Sequence, residues 1–358
     1  MRHPARIDIV PSELKAKPMH DEKVFRIARA GVAIDVIEYG ARLQRCLVPD
    51  RHGVIADVVP GVERSSDYVE RGGTMGAVLG RYGNRIGYGR IRIHDATYQL
   101  SRNDGDHTMH GGAGHFGTRW WRGAVHGPDS VVLELTSENG DQGWPGEMRA
   151  RVVYTLTDQA DLVIEMSAVC DQDTYVNMLF HGYWNLGGHA SGSVAEHLLK
   201  VAADRYTPKG DNGLPTGELH NVADSPFDFR APKRVGTDLA ATGRGYAHNL
   251  CLRDHQEGHC RPAAWLLDPV SGRALILETD QPGLQIFTAN SWSNLSGKDG
   301  AVYQAHSGLA LESQQHPNTP NTPSFAPKLV RAGEMYAHRM VVRFRALGAE
   351  GAGAFFND

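Results

Sequence analysis

Residues Met148–Cys170 read MRARVVYTLTDQADLVIEMSAVC. On either side of Thr157–Asp161, apolar and polar residues tend to alternate with period two, the pattern of strands with one face in water. The polar break between them is short enough to join two antiparallel strands as a hairpin. An amphipathic helix would need apolar residues three and four apart, and helical periodicity hardly appears anywhere in the chain. This hairpin sets the fold class, because its signature recurs.

Val32–Tyr39 (VAIDVIEY) and Met340–Leu347 (MVVRFRAL) read as strands in the same way, and Ala264–Thr279 predicts a second hairpin turning at Ser271-Gly272. Clusters such as Asp50–Gly53 and Glu138–Asp141 mark turns, and the 41 glycines and 18 prolines favour turns over long helices. The one predicted helix is a turn or two near Ser65–Arg71. No long internal repeat points to a propeller or solenoid. The expected architecture is all-β, a large sandwich of antiparallel sheets with long functional loops, forming a single domain over 22–358 behind a loose arm at 1–21.

Composition narrows the functional classes. The 358 residues are 41% hydrophobic and 22% charged with a formal net charge of -4, a balance that predicts no nucleic-acid or membrane-surface partner. Cys46, Cys170, Cys251 and Cys260 are too few to staple such a chain and read as reduced thiols. The opening MRHPARIDIVPSELKAKP has no apolar run of a signal peptide or anchor, so the expected location is the cytoplasm.

Chemistry-bearing residues fall in a few segments. Leu309–Asn321 (LALESQQHPNTPN) alternates and delivers one carboxylate, Glu312, into a polar loop. Asn177–Leu186 (NMLFHGYWNL) presents one imidazole, His181, among aromatics. A carboxylate and a histidine in separate polar–aromatic settings can take one proton from a substrate and give it another. Gly80–Gly87 (GRYGNRIG) offers Asn84-Arg85 between glycines, either donors for hydroxyls or anions or simply a basic turn. Asn103–Trp121 (NDGDHTMHGGAGHFGTRWW) joins His107, His110 and His115 to two indoles, a set suited to gripping sugar faces. The histidine spacings there fit neither a helix face nor a Cys/His finger. Cys251–Cys260 (CLRDHQEGHC) gathers potential metal ligands but reads equally as an exposed hairpin loop. There is no serine nucleophile elbow near a usable base, no P-loop and no dinucleotide fingerprint in context, which sets aside kinases, nucleotide-dependent dehydrogenases and common hydrolases.

Several segments in order resemble the aldose 1-epimerases, the galactose mutarotase family. They are EYGARL (Glu38–Leu43), GRYGNRI (Gly80–Ile86), MHGG (Met109–Gly112), GWPGE (Gly143–Glu147), NMLFHGYWNLGG (Asn177–Gly188), ADRYTP (Ala203–Pro208), LPTGEL (Leu214–Leu219), SPFDFR (Ser225–Arg230) and LESQQHPNTPN (Leu311–Asn321). The resemblance implies a β-supersandwich that interconverts α and β anomers of a free sugar without cofactor or metal. It implies Glu312 as general base and His181 as general acid, with Arg85 and His110 binding sugar hydroxyls. Asn84 and Tyr183 complete the expected sugar-binding set, and the expected partner is a monosaccharide, bound by a monomer or homodimer. That scheme expects Glu312 ionised and His181 protonated at rest. Two departures stand out: Ala247 replaces an Asp of the family's GYDH-like segment, and Leu179-Phe180 replaces Thr-Asn before the histidine. They point to an aldose other than galactose, such as a pentose or a deoxy sugar. The rival readings are a non-catalytic sugar-binding or sensing protein of the same fold, favoured by Ala247 and opposed by retention of both proton-transfer groups, and a carbohydrate lyase or hydrolase, which would need a second carboxylate or a long groove.

Overall fold

The Met148–Leu156 and Asp161–Cys170 strands pair antiparallel, from Met148 opposite Cys170 to Leu156 opposite Leu162. Met148, Ala150, Val152, Tyr154 and Leu156 are buried while Arg149 and Arg151 are exposed, so the alternation in the sequence is the two-sidedness of the sheet. The computed structural model describes residues 23–71, 73–348 and 350–357; the arm expected over 1–21 lies outside them.

The hairpin supplies the third and fourth strands of a nine-stranded antiparallel sheet. In spatial order its strands are Arg122–Val125, Ser130–Ser137, Met148–Leu156, Asp161–Cys170, Met335–Ala346, Arg273–Thr279, Arg261–Leu267, Leu198–Val201 and Lys233–Arg234. A six-stranded sheet runs Tyr183–Trp184, Leu309–Gln314, Gly283–Phe287, Ala247–Leu252, Ala203–Tyr206 and His220–Asn221. Val24–Arg29, Val32–Ile37, Arg42–Pro49 and Ile55–Asp57 form a four-stranded sheet. One core receives Val152, Ile164, Leu277 and Val342 from the first, Leu250, Ile286 and Leu311 from the second, and Ile34, Val36 and Leu43 from the third. This is the expected sandwich, closed by burial of one apolar face per sheet.

The predicted helix is present at Ser65–Arg71, and a second short one, Ala352–Phe355, was not anticipated. The last strand begins at Met335, earlier than the alternation suggests, because its first residues pair with Ala168 and Val169. The strand at Val32 ends at Ile37, before the Glu38–Gly40 turn. No helix among the described residues is long and apolar enough to cross a membrane.

One contact ties the large sheet to the EYGARL segment, and a second ties GRYGNRI to the GWPGE loop. Tyr154 Oη donates to the Ala41 carbonyl at 2.7 Å in a fully buried position. Tyr154→Phe is expected to lower stability by about 1–2 kcal/mol, since it strands that acceptor without opening a cavity; urea unfolding read by fluorescence and circular dichroism would measure it, and an unchanged midpoint would remove the bond from the account. Arg81 of GRYGNRI is also buried. It donates to Ser137 Oγ and to the carbonyls of Ser137, Glu138, Pro145 and Gly146, which makes it the clamp on the GWPGE loop and leaves it no part in ligand contact.

Candidate active site

The site is one face of the six-stranded sheet, and strand register specifies which side chains reach it. Along Leu309–Gln314, Leu309 and Leu311 enter the core, so period two sends Ala310, Glu312 and Gln314 to the opposite face. Glu312 stands opposite Gln285 in the next strand, and Gln285 stands opposite Asn249 in the one after. Residues directly opposite share a face. Glu312, Gln285 and Asn249 therefore form one polar row across the sheet. The adjacent row is Tyr183, Ala310, Phe287 and Ala247.

His181 reaches this face because Tyr183, two residues later, pairs with Ala310. Its backbone N–H donates to the Ala77 carbonyl at 2.8 Å, and its carbonyl accepts from Gly76 N at 2.9 Å. The imidazole stacks on the Tyr183 ring with centroids 4.9 Å apart and an interplanar angle of 29°. The outcome is a contact of 3.4 Å between His181 Nε2 and Glu312 Oε1, with the two residues 4% and 2% exposed. The residues expected to work together, 131 positions apart in the sequence, meet.

Burial dominates their electrostatics. It raises the Glu312 carboxyl to about 8 and pulls the His181 imidazole down to about 3, the latter aided by the nearby Arg42 charge. His181 Nδ1 is buried without a hydrogen-bond partner. The unliganded pair thus favours a neutral imidazole beside a protonated carboxyl, the reverse of the ionised Glu312 and protonated His181 expected from the sequence. Among the described residues, no charged donor offsets the carboxyl's loss of water.

The remaining predicted residues surround the pair unevenly. His110 lies with its ring 5.6 Å from that of His181, and burial first, then neighbouring His181, holds it well below the usual histidine range. Asn84 N donates to His110 Nδ1 at 3.2 Å while His110 N donates to the Asn84 carbonyl at 3.0 Å. Both residues have positive φ, 63° and 58°, and asparagine tolerates that conformation better than most. The Asn84 amide donates to Gln285 Oε1 and Gln314 Oε1 at 3.3 and 3.4 Å, and Gln314 donates in turn to Asn249 Oδ1 at 3.1 Å. Gly283 makes room for this chain, because a Cβ there would lie 2.6 Å from Asn249 Oδ1. Arg85 is partly committed: its Nε donates to Asp104 Oδ2 at 2.6 Å. Tyr183 is buried between His181 and Trp292, whose ring centroid is 4.7 Å away.

Two readings of the sequence change. The Trp121 indole, expected to grip a sugar face, is instead buried and donates to the Phe116 carbonyl, while Trp120 packs on Tyr39 against the cluster that includes Tyr183. Besides the His110 ring, the aromatic rings nearest the imidazole are Tyr183 and Phe287, the latter with centroids 6.4 Å away. Leu179 and Phe180 also face away from the site; Leu179 packs on Ala77 and Leu79, and Phe180 enters the main core against Tyr154. Their departure from the family pattern bears on packing, which leaves Ala247 as the departure that touches the site. Gln285 and Asn249 went unnoticed, although a glutamine in the apolar stretch GLQIF was a legible anomaly. Among the described residues, no group of three or more His, Cys, Asp or Glu is placed to hold a metal ion.

Comparison with known proteins agrees with this geometry. The family model "Aldose 1-epimerase" matches residues 23–343. Galactose mutarotase of Mus musculus is 37% identical over 322 residues, covering 89% of this chain and 93% of that protein. Aldose 1-epimerase of Escherichia coli strain K12 is 32% identical over 324 residues, covering 88% and 93%. Among solved structures, a GalM/aldose epimerase homologue from C. elegans superposes with a TM-score of 0.84 at 28% identity, covering 91% of this chain and all of that one. Galactose 1-epimerase from Lactobacillus acidophilus gives 0.79 at 26% identity, covering 92% and 96%. A family model that matches nearly all of the described residues, and relatives more than 30% identical over most of both chains, lead to one statement: the chain belongs to the aldose 1-epimerase family.

Proposed function

We propose that the protein interconverts the α and β anomers of a free aldose, with Glu312 and His181 exchanging the protons that open and close the hemiacetal ring. The supporting observation is the 3.4 Å contact between imidazole and carboxyl on a buried polar sheet face. Ring opening removes the proton from the C1 hydroxyl while another is delivered to the ring oxygen. Both oxygens are bonded to the same carbon, so an acid and a base in mutual contact can serve them from one side. After rotation about C1–C2 the carbonyl presents its other face, and the same two groups return the protons in exchanged roles. No proton is gained or lost overall, and no redox or group-transfer partner enters. We propose further that 22–358 act as one unit, since the site draws on segments from Asn84 to Gln314.

Sugar hydroxyls donating to Glu312 favour its ionised form and shift the pair's single proton toward His181. Glu312 is then the base and His181 the acid for opening. The competent state holds one proton across the pair, whichever member carries it before binding. At high pH the pair loses that proton and has no acid; at low pH it gains a second and has no base. With the carboxyl raised to about 8 and the imidazole lowered to about 3, kcat/KM is expected to be bell-shaped with a broad plateau and an alkaline limb near 8. Polarimetry of a freshly dissolved α-aldose across pH measures this. Activity still flat at about pH 10 would take Glu312 out of proton transfer. Failure of the protein to accelerate anomer exchange for any aldose, neutral or charged, would end the reading altogether.

A further inference from the structure

Beside the acid–base pair the sheet face opens into a recess lined by Asn84, Arg85, Lys209, Ala247, Asn249 and Gln285. Gln285 is the register partner of Glu312, and Asn84 is bonded to Gln285, so the recess begins one side-chain layer from the reacting pair. Its outer wall is the turn 207–215, folded back on itself by pairing of Lys209 with Pro215 and by the Gly210 N–H donating to the Leu214 carbonyl at 2.9 Å. That turn brings Lys209 Nζ to the carbonyl of Ala247. Arg85 approaches from the other side, with its guanidinium Nε on Asp104 and an Nη1 at 3.5 Å from the Gly213 carbonyl.

The charge balance of this recess is lopsided. Two cations line it and no carboxylate does; Asp104, the one acid bonded to Arg85, stands outside the lining. Among the described residues the Lys209 ammonium is bonded only to the Ala247 carbonyl, an uncharged partner. A neutral aldose presents hydroxyls that gain most where donors and acceptors are both on offer. Here the wall at 247 is a methyl group with its carbonyl already occupied, and the strongest groups are an ammonium and a guanidinium. An anion between them would make charge-assisted bonds to both, and each is stronger than a bond to a hydroxyl.

We propose that the substrate is an aldose bearing an anionic group, a carboxylate or a phosphate ester, seated between Arg85 and Lys209 while its anomeric carbon lies over His181 and Glu312. This rests on the anomer-exchange reading above, and it names an acidic sugar where the loss of a carboxylate at 247 alone suggested a pentose or deoxy sugar. Lys209 is then a specificity-determining residue, carried on a loop and free of any part in the fold's core.

The test is a panel of anomerisation rates on the wild-type protein, by polarimetry or one-dimensional NMR. One arm is galacturonate and glucuronate, a second is galactose and glucose 6-phosphates, and a third is galactose, glucose, arabinose, xylose and fucose. The expected result is kcat/KM at least about tenfold higher in one anionic arm than for its neutral parent, and the arm that responds distinguishes carboxylate from phosphate. K209Q should cut that preference roughly ten- to hundredfold, with K209R retaining most of it. Neutral sugars turned over as well as or better than both anionic arms would overturn the proposal while leaving anomer exchange standing. So would a K209Q loss equal for charged and neutral sugars. Rates indistinguishable from buffer in all three arms would instead remove the activity itself.

Discussion

Glu312→Gln is expected to cut anomer exchange by roughly 10²–10⁴-fold, the usual worth of one positioned proton-transfer group, while making the folded protein more stable at alkaline pH. The two effects have one cause. Glutamine fills the same space opposite Gln285 but cannot accept the C1 hydroxyl proton. The native carboxyl also carries a cost, because burial holds its pKa at about 8, above the ordinary 4.5. Below the unfolded value both states are protonated and the position costs nothing. As pH rises toward 8 the unfolded chain releases its proton while the folded chain must keep it or bury a charge, and stability falls by about 1.4 kcal/mol for each pH unit. Over the interval the penalty is on the order of 3–5 kcal/mol. Thermal or urea unfolding of wild type and E312Q at about pH 5 and about pH 8.5 should show curves that diverge as pH rises. Parallel curves would mean the carboxyl is not held up by burial, and retained activity would mean it is not the base. His181 acts in the opposite sense: its depressed pKa means stability is lost as pH falls from 6.5 toward about 3. A buried carboxyl and imidazole that weaken the fold at both ends of the pH scale are, on the proposed reaction, a trade of stability for reactivity.

Much of this site was legible before any coordinates, and the boundary between what was and was not is physical. Local alternation announced Met148–Leu156 to the residue and placed Glu312 on a strand, because both depend on neighbours within the same stretch. The polar row was hidden. Gln285 and Asn249 matter through register with Glu312, and nothing within GLQIF or AHNLCL states which strand lies alongside. Trp121 was hidden for a related reason: an indole suits a sugar face and a core equally well, and this one finds a buried acceptor in Phe116. Protonation at rest was also beyond reach, since it follows from how completely the sheet face is covered. Arg85 and Arg81 share one motif yet one borders the recess and the other clamps a loop; only the path of the chain after Gly80 separates them.

Arg42, in EYGARL, carries the second large expectation. It is fully buried, and its guanidinium donates to the carbonyls of Gly73, Met75 and Gly117 at 2.9, 2.7 and 2.8 Å. The Tyr68 ring lies 4.1 Å beneath it and the Tyr39 ring 5.4 Å away, so ring faces take the place of a carboxylate. Burial lowers its pKa to about 10, which still leaves it charged at neutral pH. Arg42→Met would keep the bulk and leave three acceptors without their donor. Recovered desolvation of the cation offsets part of that loss, and the net expectation is about 3–5 kcal/mol of destabilisation. Two of the carbonyls it holds, Gly73 and Met75, belong to the segment whose Gly76 and Ala77 bond the backbone of His181, so the imidazole loses its anchor and kcat should fall more than KM rises. A purely structural residue would stop there. The Arg42 charge is also one of the causes that depress His181. Its removal should move the acid limb of the activity profile to higher pH, while Arg42→Lys, keeping the charge but not the three-way fork, should move it less. If R42M unfolds too readily to assay, the lysine variant still separates the two roles: an acid limb unmoved from wild type in an otherwise impaired R42K matches retained charge with lost anchoring, and a limb displaced to higher pH despite the retained charge would assign the shift to geometry.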